Sequence, residues 1–204
     1  MQDHGAGVRF YAIGIDSLEM LSIRLELPSG PKVRWFTLLL GPYMIPRNCL
    51  ILWLAILKRL STLDRSWWQG SDRTCILCTR GELDTHDHLF FGCNFSRQCL
   101  WILKQKVQFT WPNLGYNRDI EWVSHRLRGL HPLNAAVQAP LASLVYLIRM
   151  ERNQRRFITQ TSTPEHTAKL CIKQIRMRLI EDDLKLNVNT SVLFRIWKIP
   201  WHVT

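Results

Sequence analysis

The stretch TCILCTRGELDTHDHLFFGC, residues 74–93, holds three cysteines and two histidines in twenty positions, and its reading decides the fold. Zinc takes four ligands in a tetrahedron, drawn from thiolate sulfur and imidazole nitrogen. Cys75 and Cys78 stand two residues apart, so a short turn brings both sulfurs to one side of an ion. His88 and Cys93 supply the returning pair, giving Cys-x2-Cys-x9-His-x4-Cys. His86 competes with His88 for the imidazole position; the spacing to Cys93 favours His88, which leaves His86 as a solvent-facing neighbour. The contrasting interpretation is a set of unconnected buried cysteines beside two surface histidines. Four protein ligands leave no open position for water, so the site reads as structural and not catalytic.

Outside this stretch the sequence reads as a basic, mainly α protein. The chain has 204 residues, of which 47% are hydrophobic, enough for one cored domain with an appended helical part. The formal net charge is +11, which points first to nucleic acid and second to an anionic membrane surface. The charge is uneven. Residues 1–30 carry two basic and four acidic side chains, residues 31–70 six and one, and residues 149–185 nine and five, so the positive regions flank the cysteine-rich stretch. The N-terminus MQDHGAGVRF lacks the apolar run of a secretory signal, and the longest apolar run, Cys49–Leu57, is too short for a bilayer span of ~20 residues. These features point to an intracellular protein, nuclear or cytoplasmic, not secreted and with no membrane segment. In a reducing compartment six cysteines favour metal binding or simple burial over disulfides.

Along the chain, SLEMLSIRLEL (17–27) is ambiguous between helix and strand. Pro46 suits a helix start, and Arg47–Leu60 is apolar almost all round, which predicts a buried helix with Lys58 and Arg59 emerging at its C-terminus. Ser61 and Thr62 open a shorter helix through Trp67 and Trp68. Asn94 is the expected N-cap of a helix with Phe95, Cys99, Ile102 and Lys106 on one stripe. TWPNLGYN (110–117) is a loop. Residues 134–157 predict a helix starting near Pro140, with an apolar first half and a basic second half. Thr163 as N-cap, Pro164 and Glu165 start another, carrying Ala168, Ile172, Ile175 and Leu179, through about Leu186. The tail SVLFRIWKIPWHVT reads as a strand or an extended arm. Leu89, Phe90 and Phe91, between the last two ligands, read as an apolar cap over the metal and the next helix; the alternative is a base-stacking platform.

These residues carry a family likeness. DTHDHLFFGCNFSRQCLW resembles the signature of the zinc-binding domain that follows the polymerase in plant non-LTR (LINE-type) retrotransposon reverse transcriptases. Cys75, Cys78, His88, Leu89, Phe90, Cys93 and Trp101 stand at the signature's positions. PKVRW (31–35), IPRNCLILWLAILKRLSTLDR (45–65) and LIRMERNQRRF (147–157) are similar to flanking segments of the same elements. Asp84 stands where the family usually has Glu, and Arg149 where Trp is usual. The resemblance implies a structural zinc ion on Cys75, Cys78, His88 and Cys93. It divides the chain into a poorly matched N-terminal segment 1–30, a zinc-binding domain 31–110 and a basic helical region 111–204.

No polymerase pair of the Tyr/Phe-x-Asp-Asp type is present. Asp182-Asp183 lies at a helix end in IEDDLKL. No Gly-x-Ser-x-Gly elbow is present either, and zinc ligation accounts for Cys93 more simply than an activated thiolate. The expectation is therefore a non-enzyme with no small-molecule substrate: a zinc-stabilised, retrotransposon-derived module that binds RNA or single-stranded DNA. Lys58, Arg59 and Arg65 on one side, and Arg149, Arg152, Arg155 and Arg156 on the other, are its candidate phosphate contacts. Two alternatives stand beside it. One is a zinc-stapled protein-interaction module, docking on a reverse transcriptase or another protein through Trp67, Trp68 and Trp111. The other is a decayed retrotransposon fragment with no selected role.

Overall fold

The computed structural model describes residues 35, 38–39, 43–65, 72–108, 116–127, 132–158, 160–182 and 190–200. All of them belong to one compact unit, Arg34–Thr204. Among the described residues there are six α-helices: α1 (Pro46–Ile56), α2 (Asn94–Val107), α3 (Tyr116–Arg126), α4 (Pro132–Phe157), α5 (Pro164–Glu181) and α6 (Ser191–Trp197). A 3-10 turn at Leu63–Arg65 and a π-helical turn at His88–Gly92 lie between α1 and α2. Extended pairing among them is confined to one antiparallel bridge, Thr74 with Leu83. The protein is mainly α, as its sequence predicts. None of these helices is long and apolar enough to cross a membrane. The segment 17–27, Trp67, Trp68, Trp111, Asp183 and the side chain of Arg65 lie outside the described residues.

Helix α4 is the spine. Its 26 residues run about 39 Å, and α1, α2, α5 and α6 all pack against it. It begins at Pro132, well before the start expected at Pro140, and Pro140 sits inside it. A proline there forgoes one helical hydrogen bond, at a cost of about 3 kcal/mol. Residues 136–145 are buried on every side, and that packing outweighs the loss. The Pro140 carbonyl is not idle: it accepts from the Cys171 thiol of α5 at 3.4 Å.

Helix α1 starts at Pro46, whose missing N–H falls where no partner is needed. It ends at Ile56, earlier than the expected Leu60, because the chain turns left-handed at Lys58 (φ 53°). The Lys58 N–H then bonds to Ala55 O at 2.8 Å and the Arg59 N–H to Leu54 O at 2.7 Å, which closes the helix end. Asn48 ties α1 to α4 by donating to Ser143 Oγ at 2.7 Å in the core.

Helix α5 begins where the sequence places it. The Thr163 side chain accepts from the His166 N–H at 3.2 Å, and Pro164 takes the first turn. It stops at Glu181 and not near Leu186. Thr167, Ala168, Cys171, Ile175 and Leu179 form its buried face, while Ile172 is half-buried. The described part of the tail, residues 191–200, is neither strand nor arm. It folds as α6, which buries Leu193, Phe194 and Trp197, the last with no exposed surface. These three residues lie at i, i+1 and i+4, one helical face. Aromatic and β-branched content gives such a segment strand character by propensity, and tertiary packing overrides it. Helix α3 begins at Tyr116, inside the segment read as a loop.

Candidate metal centre

The bridge between Thr74 and Leu83 opens a tight knuckle. Cys75 N–H bonds to Glu82 O at 2.7 Å and Asp84 N–H to Arg73 O at 2.9 Å, so the two limbs lie side by side. The reversal passes through Gly81, whose φ of +69° is a left-handed value that glycine adopts freely. Cys75 and Cys78 sit on this knuckle. Thr85 then starts a helical turn, its Oγ1 accepting from the His88 N–H at 3.1 Å and its carbonyl from the Leu89 N–H at 2.8 Å.

The turn that follows explains the last spacing. Between His88 and Gly92 the chain winds as a π-helix, with the Cys93 N–H bonded back to His88 O. A π turn closes over five residues where an α turn closes over four. It therefore brings residues 88 and 93 nearly over one another, and both side chains reach the same centre. Cys93 ends the turn in extended conformation and is itself the N-cap of α2, a place the sequence assigned to Asn94.

The ligand atoms of Cys75, Cys78, His88 and Cys93 all lie within 4.8 Å of one another. Cys75 Sγ is 3.9 Å from Cys93 Sγ, and Cys78 Sγ is 3.4 Å from His88 Nε2. In a zinc tetrahedron with metal–sulfur bonds of about 2.3 Å and metal–nitrogen bonds of about 2.0–2.1 Å, the sulfur–sulfur edge is about 3.8 Å and the sulfur–nitrogen edge about 3.6 Å. The donor set and these two edges fit zinc, and all four positions are filled by protein. Cys75 and Cys93 are hydrogen-bonded sulfur to sulfur. That bond raises the Cys75 thiol, together with burial, and lowers Cys93, which the N–H groups of Ser96 and Phe95 at the start of α2 lower further. A divalent cation favours the thiolate form of every cysteine it touches.

The histidine is oriented from behind. Glu82 Oε2 lies 2.7 Å from His88 Nδ1, leaving Nε2 to face the sulfurs. A carboxylate at that distance stands where the outer partner of a metal-ligating imidazole is placed. His86 is excluded from the cluster. Its Nδ1 lies 3.2 Å from Thr62 Oγ1, and it is buried, not solvent-facing as the sequence reading had it. Leu89 and Phe90 are buried in the core, with Phe91 half-buried against it, which is the apolar-cap arrangement.

Residues 23–101 match the family model described as zinc-binding in reverse transcriptase. The match contains all four ligands and ends at Trp101. No curated protein and no solved structure matches the chain. Geometry and family agree, and the cluster is a structural zinc site.

Of the remaining cysteines, Cys99 and Cys171 are buried thiols and Cys49 is half-buried. Cys99 donates to Pro164 O at 3.4 Å and Cys171 to Pro140 O; burial pushes Cys49 and Cys99 up to about 12 and raises Cys171 also. The six cysteines divide into three ligands and three packing groups.

The candidate phosphate contacts fare unequally. Arg152 is a correction: it is 7% exposed, with Nε and Nη2 on Asp84 Oδ2 at 2.8 and 2.7 Å. Asp84, fully buried, also accepts at its carbonyl from Leu63 and Asp64 N–H, so one residue links the knuckle, the 3-10 turn and α4. Arg155 is the second correction. Its Nε lies 2.7 Å from Glu151 Oε1, its Nη1 donates to the carbonyls of Ile76 and Leu77 at 3.4 and 3.3 Å, and its Nη2 to Ser162 O at 2.7 Å. The guanidinium also covers the Phe95 ring at 4.9 Å. It clamps the knuckle between Cys75 and Cys78 to α4. Lys58 pairs with Asp87 at 2.7 Å. Arg59 is exposed, and Arg149 and Arg156 are half-buried. Glu82, Thr85 and the inward arginines went unread in the sequence, where only the Cys-x2-Cys and His-x4-Cys spacings carried a signal.

Proposed function

We propose that the protein is a non-catalytic, zinc-stabilised accessory module, derived from a plant-type non-LTR retrotransposon reverse transcriptase, that binds single-stranded RNA or DNA. The observation that carries this reading is the net charge of +11 on a fold whose metal is enclosed by four protein ligands. A closed coordination sphere supports a structural role for the metal, since no position is left for an activated water. The positive surplus supports phosphate binding, which supplies affinity without reading sequence. Trp101, 62% exposed on α2, supports the single-stranded form, because an exposed indole offers a stacking surface to an unpaired base.

A salt titration tests this. Zinc-loaded protein is expected to bind a labelled single-stranded oligonucleotide at ~50 mM salt and to weaken linearly in log–log terms as salt rises. No retention of RNA or DNA at that salt ends the reading. The protein-interaction alternative draws on Leu170, Met177 and Ile180, exposed apolar side chains of α5. Salt-insensitive capture of a protein partner would favour it.

A further inference from the structure

Arg155, in the wall of a cleft of about 370 Å³ beside the knuckle, already has its guanidinium engaged by Glu151 and three backbone carbonyls. Cations that no carboxylate engages lie elsewhere among the described residues. Helices α2 and α5 run in the same sense, with Cys99 against Pro164 at the zinc end. At their other end stand Lys106, in the last turn of α2, and Arg176 of α5. Arg176 Nη2 donates to Lys198 O at 3.2 Å, which pins the left-handed residue closing α6 (φ 51°) against α5. Three cations from three helices thus converge.

Among the described residues none of the three pairs with a carboxylate. Lys106 is held below the usual lysine range, first by burial and then by the charges of Lys198 and Arg176. Helix C-termini attract cations, which accounts for Lys106 and Lys198 singly. It does not account for bringing a third alongside, where each repels the others. On the exposed side of α5, Lys169, Lys173 and Arg176 follow at helical spacing, a basic row about 10 Å long.

We propose that single-stranded nucleic acid runs along the exposed side of α5 and across the far ends of α2 and α6, its phosphates taken by Lys106, Arg176 and Lys198 and by the Lys169–Lys173 row. This rests on the nucleic-acid reading above and gives it a location. A phosphate there relieves the repulsion among the three cations and is itself neutralised, with release of its counterions.

The test compares zinc-loaded wild type, K106Q/R176Q/K198Q and the equal-charge control R59Q/R149Q/R156Q, by fluorescence anisotropy with labelled oligouridylate and oligodeoxythymidylate over a salt series. The first triple variant is expected to bind at least about tenfold more weakly, with a log–log salt slope shallower by about 2, three phosphates at about 0.7 each. The control is expected to change less in both. Zinc content and melting temperature report folding; K198Q alone, at an exposed position, carries the same test with a slope change of about 0.7 should the triple variant misfold. Wild-type binding with equal losses in the two triple variants overturns this location and leaves the nucleic-acid reading standing. No wild-type binding overturns both.

Discussion

The two basic regions of the molecule spend their charge in opposite directions. At the end of α4, Arg152 and Arg155 turn inward, one onto the buried carboxylate of Asp84 and the other onto the backbone of the knuckle. On α5 and at the ends of α2 and α6, Lys169, Lys173, Arg176 and Lys198 are exposed, with Lys106 half-buried beside them. In sequence the α4 run looks like the stronger phosphate site. In three dimensions it is the framework of the metal centre. A guanidinium with five donors in a fixed fork suits carbonyl and carboxylate partners held at several angles, whereas a lysine ammonium on a flexible stem remains available to a mobile polyanion.

The largest effect should come from the metal itself. Zinc binding to small modules contributes on the order of 10–16 kcal/mol. Cys93→Ser should therefore lose stoichiometric zinc and unfold the region around residues 73–93, measured by metal analysis and by amide exchange. Cys99→Ser, at a buried thiol outside the cluster, should keep its zinc. Equal zinc loss in both variants would break the division of cysteines into ligands and packing groups.

Next come the inward arginines. Arg152→Ala leaves Asp84 buried without its partner and should cost about 3–5 kcal/mol in urea unfolding. Its salt slope for oligonucleotide binding, measured on the folded fraction, should stay that of wild type. A shallower slope without loss of stability would place Arg152 among the phosphate contacts and erase the contrast between the two regions.

Glu82→Gln should weaken zinc about 10–100-fold in chelator competition, since the ring of His88 loses the carboxylate that orients it. The fold at saturating zinc should be unchanged. The smallest effect belongs to Thr163→Ala, which removes the N-cap of α5 and should cost about 1 kcal/mol. Because α5 carries the outward lysines, this variant sharpens the comparison: stability falls slightly while the binding charge stays in place.

The ligand set was legible in the sequence because its chemistry is tied to short spacings: two sulfurs across a turn, then an imidazole and a sulfur five positions apart. The start of α5 was legible for a similar reason, as Thr163, Pro164 and Glu165 each have a local role. What was not legible depends on distant partners. Nothing near Arg152 in sequence discloses Asp84, nor does anything near Arg155 disclose the carbonyls of Ile76 and Leu77. The same holds for Pro140, tolerated inside α4 only because neighbouring helices enclose it, and for α6, whose aromatic residues spell a strand until Trp197 finds the core. A run of charges gives the sign of a surface but not whether it is a surface.

The π-helical turn makes the interval from His88 to Cys93 a ruler. Removing one residue there would tighten the coil into an ordinary α turn and swing one donor away from the other three. The bend at Thr79–Gly81 obeys no such rule, since a longer excursion there adds only a fraction of a kcal/mol in closure entropy. Length changes in this module are therefore tolerable on the knuckle side of the metal and forbidden on the helix side, so its two halves are free to diverge in size at very different rates.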